Sequence, residues 1–219
     1  MIKAVIFDMD GLLIDTEPYW QATELEVFSK LGINITEQMQ VATYGLRSDE
    51  VIRYYYGQFP WKKESPEEVE KRYISRMLDY FRTKAKLMEG ARSALEFISS
   101  KGWPVALASS SNMQLINAFL DKFSLHHYFS EIYSAEFEEF GKPHPAVYLE
   151  TARRLHLDPF NCLALEDSFH GLIAAKAARM MTIAVPEDAD DKRFGAADVV
   201  LGSLSELNDE VLQKINGTG

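Results

Sequence analysis

A chain of 219 residues, 47% hydrophobic and 12% aromatic, can form one large domain or a core with a smaller companion, and it is too apolar for bulk disorder. Its formal net charge of -10 argues against nucleic acid and anionic membranes as partners, since both demand clustered Lys and Arg. A small anionic substrate stays open, because a metal and one lysine can reverse a local field.

The single cysteine, Cys162, excludes an intrachain disulfide and sits in an apolar run, as a buried small hydrophobe would. The N-terminus enters a strand with no signal segment before it, and no apolar run reaches the ~18 residues of a membrane span. The expectation is a soluble cytoplasmic protein, with a monomer as its default state. Asn216-Gly217-Thr218 fits the glycosylation pattern, but without a secretory route it reads as a frayed tail.

In chain order, Lys3 to Phe7 is a short apolar run that stops at Asp8, followed by Asp10 and Gly11. That pattern predicts a buried parallel strand delivering two acids to its carboxyl end, where open α/β sheets hold ligands. Two carboxylates so close are costly unless a positive group lies between them. A divalent cation held by oxygen is the usual solution.

A helix is predicted from Tyr19 to Leu31, with Trp20, Leu25, Val27, Phe28 and Leu31 on its stripe and Gly32 as its stop. A second runs from Asp49 to Tyr56, capped by Ser48. Its run Tyr54-Tyr55-Tyr56 is expected to pack on neighbouring helices. Ser65-Pro66-Glu67-Glu68 opens a third, with Val69, Tyr73, Met77 and Tyr80 as its buried positions. No strand is predicted between 16 and 85.

From Glu89 onward strand and helix alternate. Ala91, Ala94, Leu95 and Ile98 share a helix face. Pro104–Ala108, Glu131–Ser134, Cys162–Leu165, Met181–Val185 and Val199–Leu201 read as strands. Helices fall at Asn112–Phe123, after Pro145, and through Ala174–Ala178. Alternation of this kind predicts a Rossmann-like parallel sheet, an α/β core of residues 1–15 and 86–219 with an inserted helical cap of residues 16–85.

Polar groups end the core strands or follow them: Asp8 and Asp10, then Ser109 and Ser110, then Lys142, then Glu166 and Asp167. Parallel strands gather their carboxyl ends, so these groups are expected to converge on one site suited to a metal and a phosphate. Each also has a structural use. Ser109 or the Glu166-Asp167 pair could cap a helix, and Lys142 could be a solvated loop charge. The five histidines show no metal-ligand spacing; His144 and His170 flank the motifs, and His126, His127 and His156 read as exposed.

Phe7-Asp8-Met9-Asp10-Gly11, Leu107-Ala108-Ser109-Ser110-Ser111, Gly141-Lys142-Pro143-His144-Pro145 and Leu165–Gly171 (LEDSFHG) resemble the four motifs of the haloacid dehalogenase-like hydrolases. The resemblance covers nearly the whole chain. Through residues 12–18 (LLIDTEP), 45–51 (GLRSDEV) and 174–180 (AAKAARM) it extends to the β-phosphoglucomutase-like branch, and there to the 2-deoxyglucose-6-phosphate (hexitol phosphate) phosphatases. Arg179 stands where that family usually has glycine.

The resemblance implies that Asp8 is a nucleophile forming an aspartyl phosphate, and that Asp10 is the general acid and base, its carbonyl also ligating Mg²⁺ (Mn²⁺ would serve the same site). It implies Asp167 as a metal ligand, Glu166 as a second ligand or an outer partner, and Ser109, Ser110 and Lys142 as phosphate-binding groups. Gly45 and Arg47 resemble a cap specificity loop, and Trp20 and Glu17 are further cap candidates. The implied function is Mg-dependent hydrolysis of small phosphomonoesters such as hexose 6-phosphates. The alternative is a phosphomutase, disfavoured because the mutases most like this chain carry a histidine near Trp20. A phospho-accepting receiver is about half this length and lacks the second acid.

Overall fold

The strands form on short runs of β-branched and small apolar residues. A computed structural model describes residues 1–217, and in it β1 (Ala4–Phe7), β2 (Val105–Ser109), β3 (Glu131–Ser134), β4 (Cys162–Glu166), β5 (Met181–Ala184) and β6 (Val199–Val200) make one parallel sheet. The order is β3-β2-β1-β4-β5-β6. The chain steps outward from β1 to β3, then returns to the other side of β1 with β4. The crevice that this reversal opens lies at the carboxyl ends of β1 and β4.

Alternate residues of the central strands feed two cores. Val5, Phe7, Leu107, Leu163 and Leu165 face the larger one, with α5 (Ala91–Ser100) and α6 (Met113–Phe123). Ala4, Ile6, Ala106, Ala108, Cys162 and Ala164 face a second core with α7 (Ala146–Arg154) and α8 (Phe169–Ala177). The small residues there let α8 lie close to the sheet. Cys162 is buried and free, as expected.

Between β1 and α5 come α1 (Glu17–Ser29), α2 (Glu37–Thr43), α3 (Ser48–Gln58) and α4 (Pro66–Thr83). Ser65 and Glu68 form the reciprocal cap that opens α4, and Val69, Tyr73, Met77 and Tyr80 are all buried. Tyr55 of the aromatic run is buried, with Tyr54 and Tyr56 partly exposed beside it. The lower half of α4 joins the larger core, where Met77, Leu78 and Phe81 cluster with Leu115, Ile116 and Phe119. The two connections to this helical block run side by side: Asp15 N–H donates to Lys86 O at 3.0 Å and Met88 N–H to Leu13 O at 3.0 Å.

Four expectations change. The α2 helix has no counterpart in the sequence reading, and α3 starts at Ser48, with Glu50 reaching back to the Arg47 N–H while the Ser48 hydroxyl donates to Glu70. Leu25, placed on the buried stripe of α1, is 46% exposed, whereas the neighbouring Glu24 is 5% exposed. The expected frayed tail is tied down as far as Asn216, which sits in α9 (Asp209–Gly217) and accepts the Ile2 N–H at 3.0 Å; Thr218 lies outside the described residues. Arg179, after the end of α8, has φ of 65°, a left-handed position that explains why glycine suits it. No helix among the described residues is long and apolar enough to cross a membrane.

Candidate active site

The register of β1 and β4 sets Phe7 opposite Leu165, so Asp8 and Glu166 follow side by side, and Asp8 N–H donates to Leu165 O at 3.0 Å. Asp8, Glu166 and Asp167 each offer an oxygen, all within 4.8 Å of one another. Gly11, at φ of 75°, makes this possible: a Cβ there would lie 2.0 Å from Asp167 Oδ2.

Lys142 enters this acidic group from the loop before α7. Its ammonium is 2.5 Å from Asp8 Oδ1 and 2.6 Å from Glu166 Oε1, and it also donates to Ala108 O at 3.1 Å. Burial alone would lower its affinity for the proton, but Asp8 and Glu166 more than offset that and hold Lys142 charged. Burial raises the carboxyl of Asp8 well above its usual range, against the pull of Lys142. Burial does the same to Asp167, and the charges of Asp8 and Glu166 add to it.

Glu166 is held by three protein donors. Oε1 takes Lys142 and the hydroxyl of Tyr148, and Oε2 takes Ser168 Oγ at 3.3 Å. Asp167 is held differently: Tyr44 donates to its Oδ2 at 2.8 Å, while its buried Oδ1 has no hydrogen-bond partner among the described residues. An orphaned carboxylate oxygen beside Asp8, in an all-oxygen donor set, fits a hard divalent cation.

Asp10 projects into the pocket between core and cap. Ser111 Oγ donates to its Oδ2 at 2.7 Å and Trp20 Nε1 to its Oδ1 at 3.1 Å. Burial raises its carboxyl, and these two hydrogen bonds oppose the rise. Trp20 thus does two things expected separately, packing in the cap at 5.3 Å from the Tyr73 ring and lining the pocket.

Ser109 is fully buried beside the pocket; its hydroxyl accepts the Ser111 N–H at 3.0 Å and donates to Asp10 Oδ2 at 3.5 Å. Ser110, Ser111 and Asn112 line the cavity next to it, at the start of α6, where N–H groups and the helix dipole favour an anion. One expected contact is corrected. Arg47, expected to meet substrate or solvent, is 5% exposed and points away from the cavity. Its guanidinium donates to Ala135 O at 2.8 Å and Glu138 O at 2.7 Å and pairs with Asp49. Four acceptors surround its planar fork there, a better match than a single hydroxyl in the pocket. Beside it Glu50 Oε1 accepts the N–H of Gly141, next to Lys142.

Gly45 lines the cavity, its carbonyl accepting Ser110 Oγ at 3.2 Å. Glu17 lines the cavity and burial pushes it up to about 7. The sequence reading missed Ser111, Asn112, Tyr44 and Glu24. The third serine of the LASSS motif and the residue after it were signals for the first two; nothing local marked Tyr44 or Glu24.

Known proteins resemble this chain in sequence and in fold. The family model for haloacid dehalogenase-like hydrolase matches residues 5–185. Hexitol phosphatase B of Escherichia coli K12 is 44% identical over 209 residues, 94% of each chain. A phosphorylated carbohydrates phosphatase of Thermotoga maritima is 33% identical over 177 residues, 81% of this chain and 82% of the other. The β-phosphoglucomutase structure from Clostridium difficile superimposes with a TM-score of 0.86 at 25% identity, covering 100% of this chain and 99% of that one. With four motifs at the ends of β1, β2 and β4 and on the loop before α7, and a model match over most of its length, this chain belongs to the haloacid dehalogenase-like hydrolase family of enzymes.

Proposed function

We propose that the protein is a metal-dependent phosphatase of small sugar phosphates that works through an aspartyl phosphate. The supporting observation is the charge inventory of the cavity. Five acids line it (Asp8, Asp10, Glu17, Glu24 and Asp167), and Lys142 is its sole cation among the described residues. One lysine at the sheet edge suits one phosphoryl group. A phosphomutase must also hold a sugar bisphosphate, and no second cation faces the cavity, since Arg47 is turned into the cap–core contact. The fold likeness to a β-phosphoglucomutase is therefore a likeness of scaffold.

Asp8, Asp167 and the Asp10 carbonyl would hold a divalent cation, Mg²⁺ being the expected one, which supplies charge compensation at the phosphoryl oxygens. Glu166 acts from outside, fixing Lys142. An oxygen of Asp8 forms a bond to phosphorus as the ester bond breaks, and the departing alkoxide takes its proton from Asp10. Water then attacks the phosphorus, gives its proton to Asp10 and releases phosphate from Asp8. Lys142 and the N–H groups at the start of α6 oppose the charge on the phosphoryl oxygens. The paired connections at Leu13–Asp15 and Lys86–Met88 would serve as the hinge by which the helical block admits substrate and then excludes water.

The test is Asp8→Asn. An amide cannot form the aspartyl phosphate, so phosphate release from hexitol and hexose 6-phosphates should fall by roughly 10⁴-fold or more with the fold intact. Turnover within about tenfold of wild type would refute the covalent route.

A further inference from the structure

Glu24 is a buried carboxylate with no cation beside it. It lies one helical turn beyond Trp20 on α1, and Trp20 touches Asp10, so the pair leads away from the phosphate end of the cavity. Its Oε1 accepts the hydroxyls of Thr43 at 3.2 Å and Tyr73 at 3.3 Å, and Oε2 accepts Tyr55 at 3.1 Å. All three donors are neutral, and all three come from the helical block. The Gln40 amide faces it as well, so Glu24 is surrounded by neutral donors and its charge has no ionic partner. The residue lines the cavity. Packing alone would be served as well by an amide, which lacks the cost of an unpaired buried charge.

We infer that Glu24, supported by Glu17, is a specificity-determining residue that admits esters whose far end is an uncharged polyol and rejects those carrying a second anionic group. This rests on the phosphatase reading and deepens it. A polyol presents neutral hydroxyls, which meet no like charge at Glu24. A second phosphate or a carboxylate at the same place meets like charge in a partly desolvated cavity, where repulsion is stronger than in water. Nothing offsets it there, because Lys142 is held by Asp8 and Glu166.

The experiment compares kcat/KM for a hexose 6-phosphate and the matching hexose 1,6-bisphosphate in wild type, Glu24→Gln and Glu24→Asp, with p-nitrophenyl phosphate as reference. Wild type should prefer the monophosphate by roughly tenfold or more, the scale of one partly buried like-charge contact. Glu24→Gln should shrink that preference by about tenfold or more, and Glu24→Asp, which keeps the charge, should retain it. A smaller wild-type preference, or a smaller change in the glutamine variant, overturns the inference; if that variant does not fold, the wild-type ratio decides alone. Absence of phosphate release from every ester, p-nitrophenyl phosphate included, would instead defeat the phosphatase reading.

Discussion

Two groups of buried carboxylates face one cavity, and they are held in opposite ways. At the sheet edge Asp8 and Glu166 share the ammonium of Lys142. In the helical block Glu24 has neutral donors, the hydroxyls of Thr43, Tyr55 and Tyr73 and the Gln40 amide. The first group has a cation that the chain carries with it, placed to act on a phosphoryl group common to all substrates. The second is left short of compensation, and that deficit makes it sensitive to what the rest of the substrate carries.

Removing the partner from the first group should have the largest effect. Lys142→Met leaves Asp8 and Glu166 buried without their cation, which should lower stability by about 3–5 kcal/mol and turnover of every ester by roughly 10²–10³-fold. Urea unfolding and a rate panel check both. An effect on some esters and not on others would mean that the lysine reads the substrate body and that the two ends are not distinct.

The matching change in the second group should act with the opposite sign. Burial pushes Glu24 up to about 7 from 4.5, so the folded protein binds that proton more tightly than the unfolded chain. Ionising it therefore costs stability progressively as pH rises from 4.5 to 7, and the cost is constant above that. Glu24→Gln should then be more stable than wild type by on the order of 2–3 kcal/mol at pH 8, with the difference gone near pH 4.5. The groups facing it are the hydroxyls of Thr43, Tyr55 and Tyr73, the Gln40 amide and the nearby charge of Glu17. Glu17 titrates in the same window, which is why the variant is compared with wild type at each pH.

Arg47 tests whether the cap supplies grip as well as selection. Arg47→Ala orphans the carbonyl of Glu138 and takes one of two donors from that of Ala135, at a cost of about 1–3 kcal/mol. It should depress all esters alike and leave their ranking unchanged; a changed ranking would return Arg47 to the cavity. The smallest effect is expected away from both groups. Arg179→Gly relieves a left-handed residue, and a gain of about 0.5–1 kcal/mol in denaturant unfolding is predicted with no change in rate.

The sheet edge was far more legible in sequence than the cap. Asp8, Asp10, Lys142 and Asp167 each follow an apolar run that stops abruptly or sit in a Gly-Lys-Pro turn, and parallel strands bring such ends together whatever lies between them. The cap has no such rule. Glu24 lies among apolar positions of α1, and a helix read by its hydrophobic stripe buries Leu25 and exposes the glutamate. The reverse occurs because this face of α1 lines a polar cavity. Arg47 failed for the same reason: its partners are carbonyl oxygens 88 and 91 residues away, and main-chain acceptors leave no mark in a sequence.

The most direct test of the account is product analysis. Wild-type protein with Mg²⁺ and a hexose phosphate, followed by phosphorus NMR, should yield inorganic phosphate and free sugar in equal amounts, with no phosphate reappearing at another position of the sugar. Formation of a positional isomer of the ester without release of phosphate would contradict it, because a cavity with Lys142 as its one cation would then be holding a bisphosphate.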